Sequence, residues 1–196
     1  MIKKLVLASQ NEHKIIEMEE ILRPLGIQVL STQDFPKLKD VVEDQPNLEG
    51  NALKKARYVA LETNLPALSD DTGLEVEALN GAPGVYSARY AGENVTYQEN
   101  VRKLLSEMAD IQNRKAQFRT VVALITNEGE YTFEGVCKGE IITVQKGDKG
   151  FGYDPVFKPE GYDQTFAELD QSVKNNISHR GHAVQKFINF MKQQNQ

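Results

Sequence analysis

Two hydrophobic periods divide this chain of 196 residues into strands and helices. Residues 3–8, KKLVLA, form a short apolar run that breaks at Ser9-Gln10-Asn11 and predict a buried strand. Lys14, Ile15, Met18, Ile21 and Leu22 then recur at helical spacing until Pro24 and Gly26 end the helix, and residues 28–31 predict a second strand. Residues 32–46 are polar and loop-like, with an acidic run at 40–44. Residues 51–64 put Ala52, Leu53, Ala56, Val59 and Ala60 on one face, an amphipathic helix leading into a strand that ends at Asp70. Gly73, Gly81, Pro83 and Gly84 then predict a short hairpin and a rigid turn. A third helix is predicted over 96–108, with Thr96 or Asn94 as its N-cap. Residues 116–126 and 130–138, rich in Val, Ile, Thr, Phe and Tyr, predict a hairpin across Asn127-Glu128-Gly129. The final helix, 181–193, buries Ala183, Val184, Phe187, Ile188 and Met191 ahead of a polar tail, 193–196.

These elements give an α/β fold with a mixed sheet. With 40% hydrophobic residues the chain can bury a substantial core, and no Pro- or Ser-rich linker divides it, so a single domain over 1–196 is expected. The one cysteine, Cys137, excludes an intramolecular disulfide framework and reads as a small core side chain. A net charge of −5 and a pI near 5.3 argue against a broad nucleic-acid surface, which needs many Lys and Arg contacts to phosphate. No signal segment or membrane-length apolar run is visible, so no membrane partner and a cytoplasmic location are expected.

The candidate chemistry lies in three places. Asp70 and Asp71 are adjacent carboxylates at an apolar strand, a repulsive arrangement that a chain keeps more readily with a cation or proton between them. The strand, polar turn and helix start at residues 9–14 has the geometry of an anion site: unpaired first-turn N–H groups, supplemented by Ser9, Asn11 and Lys14. Near the C-terminus, Gly150-Phe151-Gly152-Tyr153-Asp154 offers aromatics that can lie flat on a base and an acid that can read its edge. Were the chemistry phosphoanhydride hydrolysis, it would need charge neutralisation and an oriented water, for which Asp70, Asp71 and Glu43 are candidate Mg²⁺-holding acids, although Glu43 taken alone in its acidic loop reads as a solvated charge. His179 and His182 lack the neighbouring ligands of a zinc site, and no P-loop occurs.

Five motifs in order, SQNEHK (9–14), SDDTGL (69–74), GAPGVYSARYAG (81–92), GFGYDPVF (150–157) and ISHRG (177–181), carry a resemblance over nearly the whole chain. The sequence resembles the inosine/xanthosine triphosphate pyrophosphatases, enzymes that hydrolyse ITP, dITP and XTP to the monophosphate and pyrophosphate with Mg²⁺ and so keep these nucleotides out of DNA and RNA. The resemblance implies an elongated central mixed sheet flanked by helices, two lobes around a substrate cleft, and a homodimer.

Carried onto this sequence, the family pattern makes Asp71 the general base and, with Glu43, a metal ligand, while Asp70 reads equally as a ligand or as a cap for the following turn. Ser9, Gln10, Asn11, Glu12, His13 and Lys14 match the phosphate-contacting loop, with Gln10 and His13 replacing the usual small residues, and Lys55 matches a lysine aimed at the phosphates. Thr72 stands where serine is usual. Phe151, Gly152, Tyr153 and Asp154 match the base-binding segment, which Lys174, His179 and Arg180 complete. A donor such as Arg180 or protonated His179 would favour a 6-keto purine over adenine, whose amine is itself a donor. A pyrophosphatase for other bases and a catalytically silent nucleotide-binding protein are the competing readings.

Overall fold

The apolar run near the N-terminus forms β1 (Lys4–Leu7) in the computed structural model, which describes residues 2–193. It is followed by α1 (Glu12–Leu22), β2 (Gln28–Ser31), α2 (Leu48–Thr63), β3 (Ala67–Val76), α3 (Tyr97–Glu107), β4 (Lys115–Thr126), β5 (Gly129–Ile141), β6 (Phe157–Pro159), α4 (Gln171–Ile177) and α5 (His179–Gln193). The strands join one six-stranded sheet in the order β2-β1-β3-β4-β5-β6. The sheet is mixed: β1 runs parallel to β2 and to β3, whereas β5 and β6 are antiparallel. The expected α/β class is therefore what forms. The tail residues 194–196 and the side chain of Ile21 lie outside the described residues.

Two compact units divide the chain. One comprises the residues up to 71, 120–135 and those from 182 onward; the other comprises 72–119 and 136–181. In the first, strand alternation sorts the core onto two faces. Leu5, Leu7 and Leu68 pack with Met18 and Leu22 of α1 and with Ala183, Val184, Phe187, Ile188 and Met191 of α5. Val6, Ala8 and Ala67 pack instead with Val59 of α2. The second unit has its own core, in which Leu74, Val76, Val101, Leu104, Phe118, Phe157 and Phe166 meet Cys137.

Several expectations need correction. The strand expected to end at Asp70 continues to Val76, so Asp70 does not cap a turn. Gly73 belongs to this strand as well and does not make the turn; a Cβ there would stand 2.6 Å from the Gly84 carbonyl oxygen, so glycine permits the close backbone approach. Helix α2 begins at Leu48, three residues before the expected start, because Asn47 caps it by accepting a hydrogen bond from the Gly50 N–H at 2.8 Å. Thr96, not Asn94, caps α3 in a reciprocal box with Glu99. The last helix starts at His179, and α4 before it was not anticipated, since its seven polar-rich residues carry little apolar period.

Candidate active site

The alternation that sorts the first unit's core also decides where the paired acids go. Leu68 and Asp70 share one face of β3, so the Asp70 carboxylate meets α1, where the Lys14 ammonium lies 3.0 Å away. Ser69 and Asp71 point to α2: the Ser69 hydroxyl donates to the Ala52 carbonyl at 2.5 Å, and Asp71 accepts from the Asn51 amide at 3.2 Å. The two adjacent acids thus make their close ion pairs with different lysines, Asp70 with Lys14 and Asp71 with Lys55. Those lysines stand on different helices, Lys14 on α1 and Lys55 on α2.

Lys55 is the hub on the α2 face. Its ammonium donates to Glu43 at 2.6 Å and to the Asp70 carbonyl at 2.8 Å, and stands 3.5 Å from the Asp71 carboxylate. The lysine is not the exposed helix cation its position suggests, since only 12% of its side chain is exposed. Burial is the largest influence and pulls its pKa down, but the attraction of Asp71, Glu43 and Asp70 outweighs it and holds the ammonium above its ordinary 10.5. Asp71 is pushed above the ordinary 3.8, chiefly by burial and further by Glu43, against the opposing pull of Lys55, Lys14 and the Asn51 amide. A carboxyl raised in this way is better matched to accepting a proton near neutral pH.

The loop before α1 differs from the expected anion site. Asn11 caps the helix, its side-chain oxygen accepting from the His13 and Lys14 N–H groups at 3.1 and 3.3 Å, and its own N–H donates to the Ser9 hydroxyl at 3.2 Å. Those first-turn donors are therefore not open. Gln10 donates to Asp40 at 2.5 Å, while Glu12 and His13 are exposed at the helix start.

In the second unit, Gly150, Phe151, Gly152, Tyr153 and Asp154 wrap around one buried carboxylate. Asp154 accepts from the Phe151 N–H and from the Lys174 ammonium, both at 2.8 Å, and both side chains of this ion pair are only 5% exposed. Gly150 is required at φ +73°, where a Cβ would sit 2.1 Å from the Asp154 carboxylate oxygen. Lys174 and Arg180 lie 5.2 and 5.7 Å from the Phe151 ring centre, within cation–π range. Tyr97, at the start of α3, adds a second ring 6.0 Å from it. Tyr153 is turned to the core, its hydroxyl donating to the Ser87 carbonyl at 2.8 Å, while the Ser87 hydroxyl takes the Leu74 N–H at 2.9 Å. His179 is buried and stacks on Phe118 at 4.5 Å, and the buried Arg180 guanidinium comes within 3.5 Å of the Thr72 hydroxyl. His182 is exposed in the first turn of α5.

The sequence motifs single out neither Asn51 nor Tyr97. A signal for Asn51 existed: an amide next to Ala52 on the apolar face of an amphipathic helix requires a buried partner. Tyr97 offered none, because a ring at a helix start is ordinary.

Comparison with known proteins agrees with this architecture. The profile of the Ham1 family matches residues 5–190. A protein of Flavobacterium johnsoniae named dITP/XTP pyrophosphatase is 49% identical over 188 residues, covering 96% of this chain and 97% of that protein. Two solved structures superpose closely. The HAM1 protein of Coxiella burnetii has a TM-score of 0.91 at 43% identity, and the Ham1 protein of Staphylococcus aureus 0.90 at 37%; each comparison covers 98% of this chain and 100% of the other. With the match running from β1 into the last helix, the chain belongs to the Ham1 family.

Proposed function

We propose that this protein is a nucleoside triphosphate pyrophosphatase acting on ITP, dITP and XTP, releasing the monophosphate and pyrophosphate and so removing these nucleotides before polymerases can use them. The observation that carries the reading is the Lys55 hub: a buried ammonium held among Glu43, Asp70 and Asp71, with Lys14 on the other face of the same strand. Family membership and the names of the relatives give the substrate class.

Among the described residues no group of three or more His, Cys, Asp and Glu side chains could hold a metal ion. The donor chemistry nevertheless suits Mg²⁺, which commonly takes one or two carboxylates and completes its shell with water and substrate phosphate. Glu43 and Asp71 would hold it, as both carboxylates already converge on one positive charge, that of Lys55. When bound, Mg²⁺ neutralises phosphate charge and polarises the reacting phosphoryl group. Asp71 takes a proton from the attacking water. The water oxygen bonds to the α-phosphorus as the α–β anhydride breaks, and the bridging oxygen leaves with the pyrophosphate. Lys14 and Lys55 counter phosphate charge. Arg180 donates to the purine 6-keto oxygen, and Phe151 offers its ring face to the base.

The proposal extends to a homodimer working in the cytoplasm. Its test is a panel of nucleoside triphosphates assayed with Mg²⁺ and again with a chelator. Turnover of ITP, dITP and XTP well above ATP, lost on chelation, is expected; equal efficiency with ATP, or turnover indifferent to chelation, would refute it.

A further inference from the structure

Asn51 is fully buried in the first turn of α2, where asparagine is a weak helix former and an unpartnered amide would be costly. Both ends of its side chain are engaged. The amide nitrogen donates to Asp71 Oδ2 at 3.2 Å, and the amide oxygen accepts the Gln45 backbone N–H at 3.0 Å. A carboxylate can only accept and an N–H can only donate, so these partners fix which way the amide points. Gln45 lies two residues beyond Glu43 in the loop before α2. Lys55, which contacts both Glu43 and Asp71, stands one helical turn further along α2, at the i+4 position that shares a face with Asn51.

We infer that Asn51 is a positioning residue: one buried amide pins the Glu43 loop and orients the Asp71 carboxylate, setting the spacing between two acids borne on separate elements. The inference rests on the pyrophosphatase reading for the roles of those acids. The bridge itself rests on geometry alone. Without the amide, Lys55 still attracts both acids, but a flexible ammonium is a point charge that tolerates many carboxylate orientations, whereas a planar amide selects one.

Residue-resolved amide hydrogen exchange on the wild-type protein gives the first test. The Gln45 N–H is expected to exchange about tenfold or more below its intrinsic rate, and exchange at the intrinsic rate would overturn the bridge. Two variants separate its halves. Asn51→Leu should release the Gln45 amide to fast exchange and lower kcat for ITP by about 10–100-fold, the usual effect of removing a partner behind a metal ligand, with KM within about threefold. Asn51→Asp keeps an acceptor for Gln45 and loses the donor to Asp71, so Gln45 should stay protected while kcat still falls. If either folded variant turns over ITP at the wild-type kcat, the positioning role is wrong. Should the wild type itself not hydrolyse ITP, the pyrophosphatase reading fails, while the exchange measurement still decides whether the bridge exists.

Discussion

The two polar clusters are built on opposite charge balances. In the first unit, Glu43, Asp70 and Asp71 set three carboxylates against the two ammonium groups of Lys14 and Lys55, leaving a surplus of negative charge. In the second, Lys174 and Arg180 set two cations against the single carboxylate of Asp154. In the first, burial, aggravated by Glu43, raises the pKa of Asp71. The second holds the buried Lys174–Asp154 ion pair, with the Arg180 guanidinium over the Phe151 ring. Function should therefore be lost most easily in the first cluster and stability in the second.

Asp71→Asn tests that contrast most severely. It keeps the shape but removes the proton acceptor, so turnover should fall by about 10²–10⁴-fold, measured as kcat for ITP. Retention of near wild-type turnover across a range of Mg²⁺ would mean the base has been misassigned. Next in size is the buried pair. Lys174→Met removes the ammonium from beside the buried Asp154 carboxylate and should cost about 3–5 kcal/mol of unfolding free energy, read from a denaturant midpoint. Adding Asp154→Asn should recover part of the loss, and if the double variant is no more stable than the single one the pair is not the source of the effect.

Arg180→Ala should lower kcat/KM for ITP about tenfold more than for ATP, equivalent to about 1.4 kcal/mol, because only the 6-keto base loses a matched donor. An unchanged ratio would remove Arg180 from base selection. A smaller effect concerns stability in the chelated protein. Since folding raises the Asp71 pKa above 3.8, the native state holds that proton more tightly than the unfolded chain, and stability falls as pH rises through the interval between the two values. At neutral pH the charged form is a standing cost, so Asp71→Asn should raise the melting temperature there, and the difference should shrink as pH falls toward 3.8. A lower melting temperature at neutral pH would contradict the charge surplus. Smallest of all, burial pushes the Cys137 thiol up to about 12, so at pH 8 the folded protein should resist alkylation that the unfolded chain undergoes readily.

Local pattern made much of this molecule legible in advance. The runs in β1, β4 and β5, the apolar stripes of α2 and α5, and the Thr96 cap are short-range signals, and they appear where periodicity places them. What was not legible depends on distant partners. That β3 runs straight through Asp70 and Asp71 requires Lys14 and Lys55 to meet them on opposite faces, a fact of tertiary structure that makes two carboxylates in mid-strand tolerable. The capping of α1 by Asn11 was hidden for another reason: an asparagine before a helix can equally close the first-turn N–H groups or leave them for an anion. Tyr153 shows the same limit, since its burial in the second unit's core and its bond to Ser87 are tertiary facts.

The most direct test of the account is identification of the products formed from ITP by the purified wild-type protein with Mg²⁺, quenched early and resolved by ³¹P NMR or ion-exchange chromatography. A pyrophosphatase built on the Asp71 and Lys55 cluster gives IMP and pyrophosphate in equal amounts from the first turnover. IDP and orthophosphate as the primary products would place cleavage at the wrong anhydride and contradict it.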